Sequence, residues 1–137
     1  MKKGKGRKMT EPEANARERE TRTGERGWFV VLWHECGEAN GGRAASHWDL
    51  MVAVPGEEKL ATWQVRMEPR TWGRRVMAER IGDHRRVYLT YEGEISGGRG
   101  KVTRVDEGPA EVVTRGTVWT LRLRGTGVMG EFEVGAE

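Results

Sequence analysis

The chain has 137 residues, 24 Lys+Arg against 21 Asp+Glu, one cysteine and a mean hydropathy of -0.74. That length suits one compact domain, and no apolar run reaches the roughly 20 residues of a membrane-spanning helix. No apolar segment follows the basic N-terminus, which disfavours a secretory signal, and a lone Cys36 that cannot staple the fold suits a cytoplasmic protein.

Residues 1–26 hold nine basic and five acidic side chains and lack Val, Ile, Leu and aromatics. Such a segment has little to bury against its ordering entropy, so it reads as a disordered basic tail before a domain at 27–137. It is either an arm that attracts phosphate or a solvated extension. The domain itself holds 15 basic and 16 acidic residues, so the excess positive charge lies in the tail. Within the domain, residues 66–86 contain seven arginines and three acids, a basic strip that suits either an anionic ligand or a solvated strand face.

From Gly27 onward, short β-branched and aromatic runs alternate with glycine-rich turns. Strands are expected over 28–34, 47–54, 60–66, 75–81, 85–91, 100–105, 111–114, 117–123 and 128–134. Turn signals separate them at Pro55-Gly56, Gly97-Gly98, Gly108-Pro109, Arg115-Gly116 and Gly125-Thr126-Gly127, and a helical turn fits within 69–77. Many short strands at regular spacing predict a mainly β fold, a small antiparallel β-barrel.

Chemistry-bearing residues fall into two groups. His47 and Asp49, two apart on one strand, leave the same face, and folding back of residues 35–46 would bring His34 beside them. Two imidazoles and a carboxylate suit Mn²⁺, Fe²⁺ or Zn²⁺; the alternative is a surface His–Asp hydrogen bond. His84, Arg86 and Tyr88 alternate along a second expected strand and could bind phosphate and move a proton, or simply face solvent. Cys36 is a fourth ligand, a nucleophile or a thiol with no role. Most of the six tryptophans belong in the core, with Trp72 the best exposed candidate for base stacking. Gly97-Gly98-Arg99-Gly100 reads as a turn rather than a phosphate loop.

The order of motifs adds a resemblance. The chain reads Phe29-Val30-Val31-x-x-His34, His47-Trp48-Asp49-Leu50, Thr62-Trp63-x-Val65, Asp83-His84-x-x-x-Tyr88, Tyr91-Glu92-Gly93-x-Ile95 and Gly100-x-Val102. This series resembles the 3′-phosphoesterase domain of bacterial DNA ligase D, over about residues 28–134, and shorter stand-alone relatives with HWDLM in place of HYDLR. The resemblance implies a Mn²⁺-dependent phosphoesterase on a small β-barrel, trimming a 3′-terminal ribonucleotide and then the remaining 3′-phosphate in DNA repair. It implies His34, His47 and Asp49 as metal ligands, with His84 and Tyr88 contacting the scissile phosphate. Met51 stands where the family has an arginine, and Arg86 or Arg66 is expected to supply that charge. The implied partners are DNA or RNA-terminated DNA 3′ ends, with a ligase or polymerase acting in trans. A module of the same barrel that binds nucleic-acid ends without turnover is the alternative.

Overall fold

A computed structural model describes residues 27–135; the expectations for the tail at 1–26 lie outside the described residues. Eight strands follow in chain order: β1 (Trp28–Glu35), β2 (His47–Ala53), β3 (Leu60–Val65), β4 (Arg75–His84), β5 (Gly93–Glu94), β6 (Lys101–Thr114), β7 (Trp119–Arg124) and β8 (Met129–Gly135). They form one sheet in the order β1-β2-β3-β4-β8-β7-β6-β5, and β6 also pairs with β1. Seven strands thus close a ring, with β5 attached outside it to the start of β6. The fold is mainly β, a closed barrel, as its turn-punctuated pattern predicts. Every pairing is antiparallel except a short parallel contact of β4 with β8, at Arg75↔Glu133 to Met77↔Gly135. No helix among the described residues is long and apolar enough to cross a membrane.

Alternation decides what fills the barrel. On β7, Trp119, Leu121 and Leu123 are buried while Arg122 and Arg124 face water. They join Phe29, Val31, Leu50, Val52, Trp63, Val65, Phe132 and Val134 in the interior. β1 and β2 instead read as continuous apolar runs, because both of their faces are covered. The outer face carries a second core of Val30, Leu32, Met51, Ala53, Leu60 and Val102, closed by Leu89 with Tyr88 and Ile95 packed against it.

That cover differs from the expected strand at 85–91. Residues Arg86–Leu89 form a 3-10 turn, so His84, Arg86 and Tyr88 do not alternate along one strand face. The turn drives Leu89 to 1% exposure on the outer core, which is worth about 1.5–3 kcal/mol, more than one further half-exposed ladder residue would return. A second difference is that 100–105 and 111–114 belong to the single strand β6. Gly108-Pro109 is a corner rather than a turn: β6 leaves β1 here and takes up β7. A Cβ on Gly108 would overlap the Arg124 carbonyl, and Pro109, which has no N–H to offer a ladder, occupies the changeover. The turn fitted within 69–77 is present at Pro69–Thr71.

Ion pairs engage part of the basic strip. Arg70 pairs with Glu68, Arg74 with Glu131 and Glu133, Arg75 with Glu133, and Arg80 with Asp83. The parallel β4–β8 contact brings the acids of β8 to Arg74 and Arg75, a neighbourhood no local pattern encodes. Trp72 is packed against the inner core, 6.1 Å from the Phe132 ring, with its indole N–H on the Met67 carbonyl.

Candidate metal centre

β1 and β2 form a hairpin whose register places His34 opposite His47, with Leu32 opposite Asp49. Cross-strand partners share a face, and residues two apart share a face, so His34, His47 and Asp49 converge on the outer side of the sheet. The segment between the strands turns back through Glu38–Asn40 and Gly42–Ala45, which allows that register. His47 is 4% exposed and Asp49 3%, and the two imidazoles stand edge to face with centroids 4.9 Å apart.

The hydrogen bonds settle which nitrogens face inward. His34 Nε2 donates to the Arg99 carbonyl at 3.0 Å, and His47 Nδ1 donates to the Ala45 carbonyl at 2.8 Å. A neutral imidazole has one N–H, so each ring turns a lone pair toward the carboxylate. His34 Nδ1 is 3.4 Å from Asp49 Oδ2, and His47 Nε2 is 3.0 Å from Asp49 Oδ1. Oδ1 is buried and has no hydrogen-bond donor in that state. Three acceptors converging without a donor form a site for a cation, either a proton on each ring or a metal ion, and the chemistry of the set fits a divalent metal. Backbone carbonyls behind both rings are the usual means of holding metal-ligating imidazoles in one tautomer.

The electrostatics describe the protonated alternative: a bond from His34 to Asp49 holds the imidazole above its ordinary pKa against the opposing effect of burial, and the Arg99 carbonyl adds to the rise. Burial alone would raise the Asp49 carboxyl, but the bonds to His34 and His47 outweigh it and hold it below the usual range. Cys36, just past β1, donates its thiol to the Ala45 carbonyl at 3.4 Å. Burial pushes that thiol up, Asp49 adds to the rise, and Arg66 opposes it.

The centre opens on a cavity of about 250 Å³ lined by His34, Asp49, Met51, His84, Tyr88 and Arg99, among others. His84 reaches it from the end of β4, opposite Leu60 of the outer core. Its Nδ1 donates to the Gly82 carbonyl at 2.9 Å, and its ring lies 5.6 Å from that of Tyr88. Members of both groups therefore line one cavity, His34 and Asp49 from the first and His84 and Tyr88 from the second, with Tyr88 supplied by the 3-10 turn and His47 outside the lining.

Arg86 is not among the lining residues; its guanidinium donates to the Glu57 carbonyl at 3.4 Å. Arg66 is exposed and follows Val65, which pairs with Trp48, so it lies at the His47 end of the sheet and outside the cavity lining. Met51 is 1% exposed at the cavity base. Two other arginines, Arg85 and Arg99, are among the lining residues together with the acid Asp83, and the motif spacing singles out neither arginine. Arg99 comes from the glycine turn after β5, and its guanidinium is held by Ser96. Gly100 has φ +95°, and a Cβ there would overlap the Glu35 carbonyl. That close approach docks the turn on the end of β1 and puts the Arg99 carbonyl on His34.

No protein-family model and no curated protein matches this chain.

Proposed function

We propose that the protein is a divalent-metal-dependent phosphoesterase acting at nucleic-acid 3′ ends, removing a 3′-terminal ribonucleotide or a 3′-phosphate. One observation carries the reading: with both rings neutral, His34 Nδ1 and His47 Nε2 face the Asp49 carboxylate without a donor, at the edge of a cavity that is also lined by Asp83, His84, Tyr88 and two arginines. The resemblance to the DNA ligase D phosphoesterase domain supplies the substrate class and Mn²⁺ as the expected ion. The cavity is smaller than the roughly 300–1,000 Å³ of drug-sized sites, which suits a terminal phosphate with part of its sugar.

His34, His47 and Asp49 would hold the ion, which when bound supplies a Lewis acid for a phosphoryl oxygen and lowers the pKa of water. With Nδ1 tied to Gly82, His84 has Nε2 left to hold or deliver a proton at a phosphate or leaving-group oxygen. Tyr88 orients the His84 ring by edge contact and offers its hydroxyl to the same phosphate. Arg85 and Arg99 contribute the positive charge that the family draws from an arginine at the Met51 position. Ile95, packed against the outer core, gives the cavity an apolar wall.

The test incubates the full chain with Mn²⁺ and a primer–template ending in a ribonucleotide or a 3′-phosphate, beside His47→Ala and Asp49→Ala. Processing by the wild type that both variants lose supports the enzyme. End binding without turnover under several divalent ions overturns it in favour of a binding module, the reading that buried, apolar Met51 favours.

A further inference from the structure

Cys36 has no part in the reaction proposed above, yet it stands against the same centre. It lies two residues after His34, just past the end of β1, and its thiol donates to the carbonyl of Ala45, two residues before His47. One ligand atom each from His34, Cys36 and His47 lies within 4.8 Å of the others. The thiol is 9% exposed, and its backbone N–H donates to Ser46 Oγ at 3.0 Å, which ties the residue to the start of β2. Asp49, beside both imidazoles, is 3% exposed with one carboxylate oxygen lacking a donor. The same two imidazoles thus have the Cys36 thiol near them and the Asp49 carboxylate 3.0 Å from His47 Nε2 and 3.4 Å from His34 Nδ1.

We propose that Cys36 is a fourth ligand that makes this centre selective for a thiophilic ion, Zn²⁺ ahead of Mn²⁺, and that Zn²⁺ closes it. A thiolate suits Zn²⁺ or Co²⁺ far better than Mn²⁺, which prefers oxygen and nitrogen donors. Four protein ligands complete a tetrahedron and leave no open position, the arrangement of structural rather than catalytic zinc. On binding, the S–H proton leaves to solvent and the sulfur turns from the Ala45 carbonyl, which His47 Nδ1–H keeps as its own acceptor. The proposal rests on the metal-centre reading: Mn²⁺ on His34, His47 and Asp49 leaves room for a phosphate, whereas Zn²⁺ with Cys36 does not.

The experiment titrates the metal-free full chain with Co²⁺ and follows its absorption. One equivalent should produce a near-ultraviolet thiolate-to-cobalt charge-transfer band and the intense visible bands of a tetrahedral ion. Cys36→Ser and Cys36→Ala should bind Co²⁺ without the charge-transfer band, lose at least about 10-fold in Zn²⁺ affinity, and keep their Mn²⁺ affinity. Zn²⁺ should displace Mn²⁺ from the wild type and suppress 3′-phosphate removal, and suppress it far less in Cys36→Ser. Co²⁺ binding to the wild type without the charge-transfer band overturns the role of Cys36 and leaves the His34–His47–Asp49 centre standing. Failure of the folded wild type to bind Co²⁺, Zn²⁺ or Mn²⁺ overturns the metal-centre reading with it. Turnover with Zn²⁺ as fast as with Mn²⁺ overturns the closed sphere.

Discussion

Replacing Asp49 by Asn should reverse the stability order of the protein according to whether metal is present. In the wild type with Mn²⁺ at about 100 times its dissociation constant, binding to the folded state alone adds about 2.7 kcal/mol. A domain of this size gains roughly 4 °C or more in Tm per kcal/mol, so the shift is on the order of 10 °C. Asp49→Asn removes the single carboxylate of the His34–His47 pair and should cut that shift to about 2 °C or less, since a neutral amide is a far weaker ligand. Without metal the sign changes. Wild-type Asp49 Oδ1 is buried and faces a His47 lone pair without a donor, whereas the side-chain amide of the Asp49→Asn variant could donate one hydrogen bond to an imidazole nitrogen, worth about 1 kcal/mol. The comparison is made in chelator above the His34 transition. The folded His34 pKa is raised, so the His34⁺–Asp49⁻ pair stabilises the wild type fully below the unfolded pKa and is lost as pH rises through the folded one. Thermal melts of both proteins with chelator and with Mn²⁺ read out the four values. A wild type unresponsive to Mn²⁺, or an Asp49→Asn protein with the full shift, would refute the reasoning.

Other consequences can be measured separately. Asp106 is buried and its carboxylate accepts from the backbone N–H groups of Glu107, Thr126, Gly127 and Val128 at 2.7–2.8 Å, which holds the β7–β8 turn against β6. Asp106→Ala should cost about 3–5 kcal/mol in denaturant melts, while the metal affinity of the folded fraction stays the same. Gly100→Ala should cost about 1–3 kcal/mol by denaturant melts through its positive φ and the Glu35 carbonyl. It should also lower Mn²⁺ affinity about 10-fold or more in a direct titration, because the Arg99 carbonyl no longer holds His34. Arg99→Ala should raise KM for a 3′-phosphate substrate about 10-fold or more, with Arg86→Ala near wild type, since only the first lines the cavity. Deleting residues 1–26 should weaken duplex binding and flatten its salt dependence while sparing turnover at saturating substrate, as the nine basic residues there predict.

What local pattern encodes and what it omits separate cleanly in this chain. The period of a strand is two residues, so His47-Trp48-Asp49 alone determines that His47 and Asp49 share a face, and the alternation in Trp119–Arg124 alone determines which side chains fill the barrel. The hairpin that brings His34 to His47 is also legible, because β1 and β2 are consecutive and a glycine-rich link lets them pair. Residues 85–91 are ambiguous in sequence because a short 3-10 turn and a strand can both bury one apolar residue, and only the outer core awaiting Leu89 decides between them. The closure of the ring by β4 with β8 joins segments more than 50 residues apart, and that contact pairs Arg74 and Arg75 of the basic strip with Glu131 and Glu133. Arg99 enters the site by the same kind of long-range contact, since a turn 65 residues from His34 supplies both the carbonyl behind its ring and a cation to the cavity. The sequence by itself determines a β fold and the identity of the candidate ligands. Tertiary contacts decide which nitrogens face the carboxylate, which arginines line the cavity and how near Cys36 stands, because those depend on backbone groups and strand neighbours that no short window contains.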